Sequence, residues 1–198
     1  MIQISNTAVP IILASNSPRR RELLRQVGVS FTVDPADVDE RALPGEKPED
    51  YAVRVALDKA RVAATRAQNG VIIAADTIVV LDNAILGKPA DLRDAERMLT
   101  MLSGRVHRVI TGLAMMDAAT GKTITGVAAT SVWFRDLSRQ EILSYIAGGE
   151  PLDKAGAYGI QGKGALLVKQ IEGCYFNVVG LPLSLLGELL REFEISLF

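Results

Sequence analysis

An acidic residue inside an otherwise apolar segment is the first feature of this sequence that points to chemistry. The segment VIIAADTIVVL, residues 71–81, has nine apolar residues out of eleven, which is typical of a strand covered on both faces. Asp76 and Thr77 interrupt it. An ionised carboxylate withdrawn from water costs several kcal/mol unless a cation or hydrogen-bond donors meet it. We therefore expect another part of the chain to supply a partner for Asp76.

A lysine in the apolar stripe of a predicted helix is one candidate for that partner. The helix is predicted from near Pro48 to near Asn69, and Lys59 lies in the middle of its stripe. The apolar positions that recur at helical spacing are Ala52, Val55, Ala56, Val62 and Ala63. Lys59 is expected to point inward, toward Asp76 or toward a bound phosphate. The alternative is that its long stem brings the ammonium group to the surface.

The first strand-to-helix junction has the features of an anion site. In IILASNSPRRRELLRQVG, residues 11–28, Ser17 is placed as the N-cap of a helix and the following proline as its first residue. The free backbone amides and the positive dipole end at a helix start favour an anion. Arg19, Arg20 and Arg21 add positive charge within one turn. The alternative is an ordinary capped helix with solvated arginines.

Three carboxylates after the second predicted strand are candidate metal ligands. Asp37, Asp39 and Glu40 could bind Mg²⁺, which takes oxygen ligands together with waters and substrate phosphates. The alternative is a solvated acidic loop. A cysteine-rich or histidine-rich centre is excluded, because Cys174 and His107 are the only residues of their types. We predict a structural, hydrogen-bonded role for His107.

Two further polar residues lie in segments that allow close approach of a ligand. Lys88 occupies a Gly-Lys-Pro bend and is either a turn residue or a phosphate ligand. Gln161 lies among small residues between 155 and 162, where its amide could meet a nucleobase edge with one donor and one acceptor. The neighbouring Asp153 and Lys154 form either a structural ion pair or part of the site.

The overall composition limits the classes of function. The 198 residues include 22 basic and 23 acidic side chains, for a net charge of −1, which gives no electrostatic reason to bind nucleic acid or an anionic membrane. One cysteine rules out an intramolecular disulfide and suits a reducing cytosol. We read no signal peptide in the first residues and no membrane span.

The order of elements predicts an α/β fold with a mixed, twisted sheet flanked by helices. Short apolar runs alternate with amphipathic helices. The predicted strands are 11–14, 31–33, 71–81, 106–116, 123–134, 165–169 and 175–179. Residues 106–134 resemble one long hairpin with its turn at 117–122, so the sheet is not wholly parallel. The long irregular segments, 34–49 and 148–164, are candidates for functional loops.

Five segments together resemble one known family. They are LASNSPRR (13–20), Asp76-Thr77 followed by ILGKP (85–89), SGRVHRVITG (103–112), LDKAGAYGIQG (152–162) and NVVGLPL (177–183). In this order and at this spacing they resemble the Maf-like nucleoside triphosphate pyrophosphatases over nearly the whole chain.

The resemblance implies a fold and an activity. The family fold is a mixed α/β sheet with two lobes around a cleft, similar to the inosine triphosphate pyrophosphatases, so residues 1–198 would form one domain without a separable linker. The implied reaction cleaves a nucleoside triphosphate between the α- and β-phosphates with a divalent metal, Mg or Mn, in the cytoplasm. Family members are often homodimers, and a homodimer is an expectation here.

The resemblance also implies roles for individual residues. Asp76 matches the proton acceptor of the family. Arg19, Thr77 and Gln161 match the positions that mark the branch acting on dTTP and UTP. Other matched cleft positions are Ser15, Glu40, Lys59 and Lys88. In the mechanism that combines both lines of reasoning, Asp76, helped by Glu40, holds the metal and orients or deprotonates the attacking water. The catalytic lysines Lys59 and Lys88, with Arg19 and the helix amides after Ser17, neutralise the triphosphate. Arg20 is a further candidate for substrate binding.

Two alternatives from other classes stay open at this point. The chain could be a non-catalytic nucleotide-binding regulator, because relatives of this family have been linked to septum formation during cell division. It could also bind nucleic acid, although the balanced charge argues against that.

Overall fold

The computed structural model describes residues 9–198. Residues 1–8, part of the segment in which no signal peptide is expected, lie outside the described residues. No helix within residues 9–198 has both the length and the apolar character needed to cross a membrane.

Six helices and seven strands alternate along the described chain, together with two short 3₁₀ helices. The helices are α1 (Pro18–Gln26), α2 (Pro48–Ala64), α3 (Leu92–Leu102), α4 (Arg139–Ala147), α5 (Tyr175–Val179) and α6 (Leu183–Arg191). The strands are β1 (Ile11–Leu13), β2 (Thr32–Val33), β3 (Val71–Leu81), β4 (Ala84–Leu86), β5 (Val106–Asp117), β6 (Thr123–Phe134) and β7 (Val168–Glu172). The 3₁₀ helices are Ala155–Ala157 and Gly162–Leu167.

The strands form one mixed sheet in the order β2-β1-β3-β5-β6-β7, and β4 pairs with β3 off this path. The pairs β1–β2 and β1–β3 are parallel, whereas β3–β4 and β6–β7 are antiparallel. The turn between β5 and β6 is closed by hydrogen bonds from Asp117 N to Lys122 O and from Gly121 N to Asp117 O, each 2.9 Å. These findings confirm the mixed sheet and the long hairpin.

The chain divides into two compact units, each with its own core. Within the described residues, the first comprises 9–76, 111–128 and 180–198, and the second comprises 77–110 and 129–179. In the first unit, alanines of α2 pack on buried residues of β3 and β5 and on Ala14, which follows β1. In the second, α3 and α4 enclose a core that includes Leu99, Val132 and Ile142.

A glycine of β5 explains how closely α2 lies on the sheet in the first unit. A Cβ atom at Gly112 would lie 2.2 Å from the backbone C and O atoms of Ala52. Only a residue without a side chain allows this approach. The approach matters for the site, because α2 carries Lys59.

Two strand predictions are wrong. Residues 175–179 form α5 rather than a strand. The amide of Asn177, fully buried, donates to Val109 O and Thr130 Oγ1 at 2.9 Å each, and such tertiary contacts override the strand preference of aromatic and β-branched residues. Residues 162–167 form a 3₁₀ helix, so the strand predicted at 165–169 begins only at Val168.

Smaller differences concern element ends. Helix α2 ends at Ala64 rather than near Asn69. Thr65 there donates its hydroxyl to Val62 O at 2.7 Å, a local bond that competes with helix continuation. The short strand β4 was not predicted. It follows the turn at Asp82 and Asn83, both of which have positive φ.

Candidate active site

The partner of the buried strand acid is the lysine of α2. Asp76 is 8% exposed, and its Oδ1 lies 2.7 Å from Lys59 Nζ. The same ammonium group lies 2.7 Å from Glu40 Oε1. The prediction that Lys59 points inward toward Asp76 is confirmed, and Glu40 is a second acid in the same cluster.

The elements that hold this cluster are packed in the core of the first unit. Asp76 lies in β3, whose preceding residues 71–75 are buried and pair in part with β1. Lys59 lies on α2 beside Ala56, Ala60 and Ala63, which are fully buried against the sheet. Small side chains at these positions bring the helix backbone close to the strands. At this spacing, the side chain of Lys59 is long enough for its ammonium group to contact the carboxylate of Asp76.

The start of α1 has the predicted cap. Ser17 is the N-cap, and its Oγ accepts a hydrogen bond from Arg20 N at 3.4 Å. The hydroxyl of Ser15, a nearly buried side chain, accepts from Ser17 N at 3.2 Å and from Arg20 Nη1 at 3.1 Å. Ser15 therefore fixes both the turn that enters the helix and one arginine.

The three arginines of α1 have different surroundings. Arg20 donates from Nε to Gly180 O at 2.8 Å, and Arg21 donates to Asn16 O at 2.9 Å. Burial lowers the pKa of Arg20, an effect opposed by the charge of Asp76; nearby Arg19 lowers this pKa further, and Glu40 raises it. These interactions show that Arg20 lies within electrostatic reach of the acidic cluster. The start of α1 and the buried acid therefore lie near each other in the first unit.

The predicted carboxylate cluster of the loop at 34–47 is only partly present. Asp39 is exposed and accepts hydrogen bonds from Arg41. The Arg41 Nε atom lies 2.9 Å from each of the two carboxylate oxygens. That guanidinium lowers the pKa of Asp39 to about 2. In the described part of the chain, no three His, Cys, Asp or Glu side chains converge as a metal site. Of Asp37, Asp39 and Glu40, only Glu40 is bonded to the lysine that holds Asp76.

The donor chemistry at Asp76 and Glu40 nevertheless fits a divalent cation. Two carboxylate oxygens from different elements converge on one positive charge. Mg²⁺ in nucleotide sites is usually held by one or two carboxylates, with waters and substrate phosphates completing its octahedron. Two carboxylates are therefore a sufficient protein contribution.

The remaining candidate residues belong to the second unit. Thr77 is half-buried in β3, Lys88 is exposed after β4, and Gln161 is half-buried immediately before the second 3₁₀ helix. A hydrogen bond of 3.0 Å from Gly156 N to Gly87 O joins the turn of Lys88 to the first 3₁₀ helix. Two segments far apart in sequence are thus brought together within this unit.

Other polar residues have structural roles. His107 is buried, its Nε2 lies 2.6 Å from the hydroxyl of Tyr158, and its ring packs edge-on against Phe134. The prediction of a structural histidine is confirmed. Asp153 and Lys154 form an ion pair of 2.7 Å, in agreement with the structural alternative for these two residues.

Sequence reasoning missed the residues that hold the Glu40 loop. Arg54 lies outside the apolar stripe of α2, a position that predicts a solvated side chain, but its side chain is only 26% exposed and pairs with Glu46 at 2.6 Å. Tyr51 donates its hydroxyl to Glu40 O at 2.6 Å. A signal existed in the sequence: Tyr51 and Arg54 are one turn apart on the helix that carries Lys59.

Comparison with known proteins first places the fold. A Ham1 protein from Staphylococcus aureus has a TM-score of 0.54 with this chain at 17% identity, covering 93% of this chain and 99% of that one. The similarity confirms the predicted α/β fold class.

Sequence comparison then places the family. Residues 10–193 match the Maf-like proteins, and the chain belongs to this family. A dTTP/UTP pyrophosphatase of Clostridioides difficile is 50% identical over 189 residues, covering 95% of this chain and 97% of that protein. A dTTP/UTP pyrophosphatase of Dictyoglomus turgidum is 52% identical over 188 residues, covering 94% and 97%. The family predicted from the sequence motifs is confirmed.

Proposed function

We propose that this protein is a nucleoside triphosphate pyrophosphatase that hydrolyses dTTP and UTP to the monophosphate and diphosphate. The observation that carries the proposal is the convergence of Asp76 and Glu40 on Lys59 beside the start of α1. Relatives about half identical in sequence over nearly their full length carry this activity in their names. Modified pyrimidine nucleotides are further candidate substrates.

The reaction needs an activated water molecule and an in-line leaving group. In the proposed step, Asp76 orients the water and accepts its proton while the water oxygen forms a bond to the α-phosphorus. The bond between that phosphorus and the α,β-bridging oxygen breaks, and pyrophosphate leaves with the electron pair. Positioning and charge neutralisation supply most of the rate in such transfers.

A divalent cation is part of the proposal, with Asp76 and Glu40 as its protein ligands. When bound, Mg²⁺ or Mn²⁺ supplies charge stabilisation at the phosphate oxygens. Asp76 and Glu40 keep their oxygens on one side of the site because each is held by Lys59. Lys59 contributes a positive charge beside them.

The other predicted residues have separate roles in the proposal. The backbone amides at the start of α1, with Arg19 and Arg20, favour the negative charge of the triphosphate, and Ser15 fixes Arg20. Lys88 is assigned to the phosphates. Thr77 and Gln161 are assigned to the pyrimidine base, where an amide can match the N3 donor and O4 acceptor of uracil or thymine.

A panel of canonical and modified nucleoside triphosphates, assayed for released pyrophosphate with and without Mg²⁺ or Mn²⁺, tests the proposal. Metal-dependent release is expected from dTTP and UTP, with much weaker release from purine nucleotides. Absence of pyrophosphate from every nucleotide would contradict the proposal and favour the non-catalytic regulator. Equal rates for purine and pyrimidine nucleotides would contradict the roles of Thr77 and Gln161.

A cytoplasmic location and a homodimer stay predictions from the family resemblance. Measurement of the molar mass in solution by light scattering would test the homodimer. We retain the expectation that nucleic acid is not a partner, on the ground of the net charge of −1.

A further inference from the structure

The loop that carries Glu40 has no helix or strand of its own. Residues 34–47 contain only turns and irregular backbone, and Glu40 itself is exposed, with 51% of its side chain accessible. A carboxylate on such a segment loses its position easily unless other contacts fix the backbone. The contacts that do so therefore decide whether Glu40 stays beside Asp76.

One of these contacts is a two-point ion pair from α2. Arg54 donates from Nε to Glu46 Oε1 at 2.6 Å and from Nη2 to Glu46 Oε2 at 2.9 Å. The same Nη2 donates to Arg41 O at 3.0 Å. Glu46 in turn accepts from Leu43 N at 3.0 Å. One guanidinium thus ties two loop residues, Arg41 and Glu46, to the helix, and Glu46 in turn holds the backbone of Leu43.

A second contact fixes the backbone of Glu40 directly. The hydroxyl of Tyr51, a residue 7% exposed, donates to Glu40 O at 2.6 Å. The guanidinium of Arg54 lies over the Tyr51 ring, 5.4 Å from its centre. A tyrosine hydroxyl is protonated at neutral pH and is therefore a donor in this contact.

These contacts differ from an ordinary surface ion pair. The side chain of Glu46 is 9% exposed, whereas the Arg61–Asp58 pair on the same helix is 60% and 33% exposed. Hydrogen bonds from Arg54 lower the pKa of Glu46 to about 2. Two parallel bonds between a guanidinium and a carboxylate fix orientation as well as distance. Exposed pairs such as Arg61–Asp58 contribute little.

Tyr51, Arg54 and Lys59 all lie on α2. A helix is stiff over two turns, so the distance between the fixed loop and the Lys59 ammonium is set within one element. We propose that Tyr51 and Arg54, with Glu46, are positioning residues that hold Glu40 at the acidic cluster of Asp76 and Lys59. This inference rests on the proposed function, to which it adds residues that touch neither substrate nor reacting atoms.

A double-mutant cycle with Glu40 tests whether Arg54 acts through that residue. Arg54→Met keeps the aliphatic stem and removes the guanidinium, and we expect kcat/KM for dTTP to fall about 10-fold. In the Glu40→Gln background the same change should cost less than about 3-fold, because the group that it positions is already lost. An equal loss in both backgrounds would overturn the inference, since a purely structural role gives additive effects.

Two further variants guard against misfolding and nonspecific charge effects. Tyr51→Phe removes one hydroxyl and keeps the ring, and it should show the same non-additivity with Glu40→Gln. Arg61→Met removes an arginine of the same helix whose pair is exposed, and kcat/KM should stay within about 2-fold of the wild type. A loss in Arg61→Met equal to that in Arg54→Met would contradict a specific role for Arg54.

Hydrogen exchange gives a readout that does not depend on catalysis. In Arg54→Met and Tyr51→Phe, we expect the amides of residues 38–46 to exchange on the order of 10-fold faster, with unchanged exchange in β3. Arg61→Met should leave both regions unchanged. Unaltered exchange in Arg54→Met and Tyr51→Phe would overturn the inference even if the enzyme is active. If the wild type releases no pyrophosphate but exchange is faster in Arg54→Met and Tyr51→Phe, the proposed function is refuted and the loop contacts are established.

Discussion

At the scale of single residues, the proposed chemistry rests on Asp76, Lys59 and Glu40. A carboxylate that is 8% exposed needs a nearby positive charge, and one lysine supplies it to two acids at 2.7 Å each. The pairing with Lys59 makes the buried strand acid tolerable. It also brings a second carboxylate, that of Glu40, to the same ammonium group, which is the arrangement that the proposed function uses.

Replacement of this acid tests its role most directly. Asp76→Asn keeps the size of the side chain and removes its charge, so we expect kcat/KM for dTTP to fall by about 100-fold or more. Steady-state pyrophosphate release measures it. Asp82→Asn is the matched control, because Asp82 is an exposed turn residue paired with Arg105. A turnover of Asp76→Asn within about tenfold of the wild type would remove Asp76 as base or metal ligand.

At the scale of elements, the packing of α2 on the sheet of the first unit decides where Lys59 reaches. The buried alanines of α2 and the glycine at 112 allow backbone to approach backbone. The helix also carries the residues that hold the Glu40 loop. Helix α2 thus positions the ammonium group of Lys59 and also contacts the loop that carries Glu40.

A methyl group at position 112 should disturb this packing. Gly112→Ala places a Cβ 2.2 Å from the backbone of Ala52, and overpacking of this kind costs about 1–3 kcal/mol. Urea unfolding should show the loss of stability, and activity should fall because Lys59 moves with α2. The control Gly187→Ala lies in α6 with nothing within 4 Å and should be neutral or slightly stabilising. A Gly112→Ala protein as stable as the wild type would contradict the close approach.

At the scale of the whole molecule, the sequence has one histidine, the side-chain type whose ordinary pKa lies closest to neutral. His107 lies in the core of the second unit, faced by Tyr158 and Phe134. Burial lowers its pKa to about 4. Burial also raises the pKa of Tyr158, so its hydroxyl stays protonated throughout the range in which the histidine titrates.

The lowered pKa predicts a loss of stability in mild acid. The unfolded chain, with a histidine pKa near 6.5, binds a proton that the folded chain does not bind until about pH 4. Stability therefore falls as the pH drops from about 6.5 toward 4. Between pH 7 and 5 the wild type should lose roughly 2 kcal/mol more than His107→Gln, measured by urea unfolding at each pH. Equal losses in the two proteins would contradict the buried, neutral histidine.

Local patterns in the sequence determined most elements and the key pair of the site. Residues 71–81 and 123–134 are strands with the predicted bounds, and Ser17 caps α1 as predicted. Periodicity and capping act over a few residues, so they can be read directly from the chain. The same kind of pattern left two alternatives for Lys59, an inward direction or a stem that reaches the surface, and the ion pair with Asp76 shows that the inward one is correct.

The tertiary structure alone decided the outcome where distant residues compete with local preference. Residues 175–179 read as a strand but form α5, because buried Asn177 bonds Val109 and Thr130 from two other strands. Arg54 read as solvated, yet its ion pair with Glu46 holds the loop of Glu40. Contacts between segments far apart in sequence leave no periodic signal, so the chain specifies them only once its elements have packed.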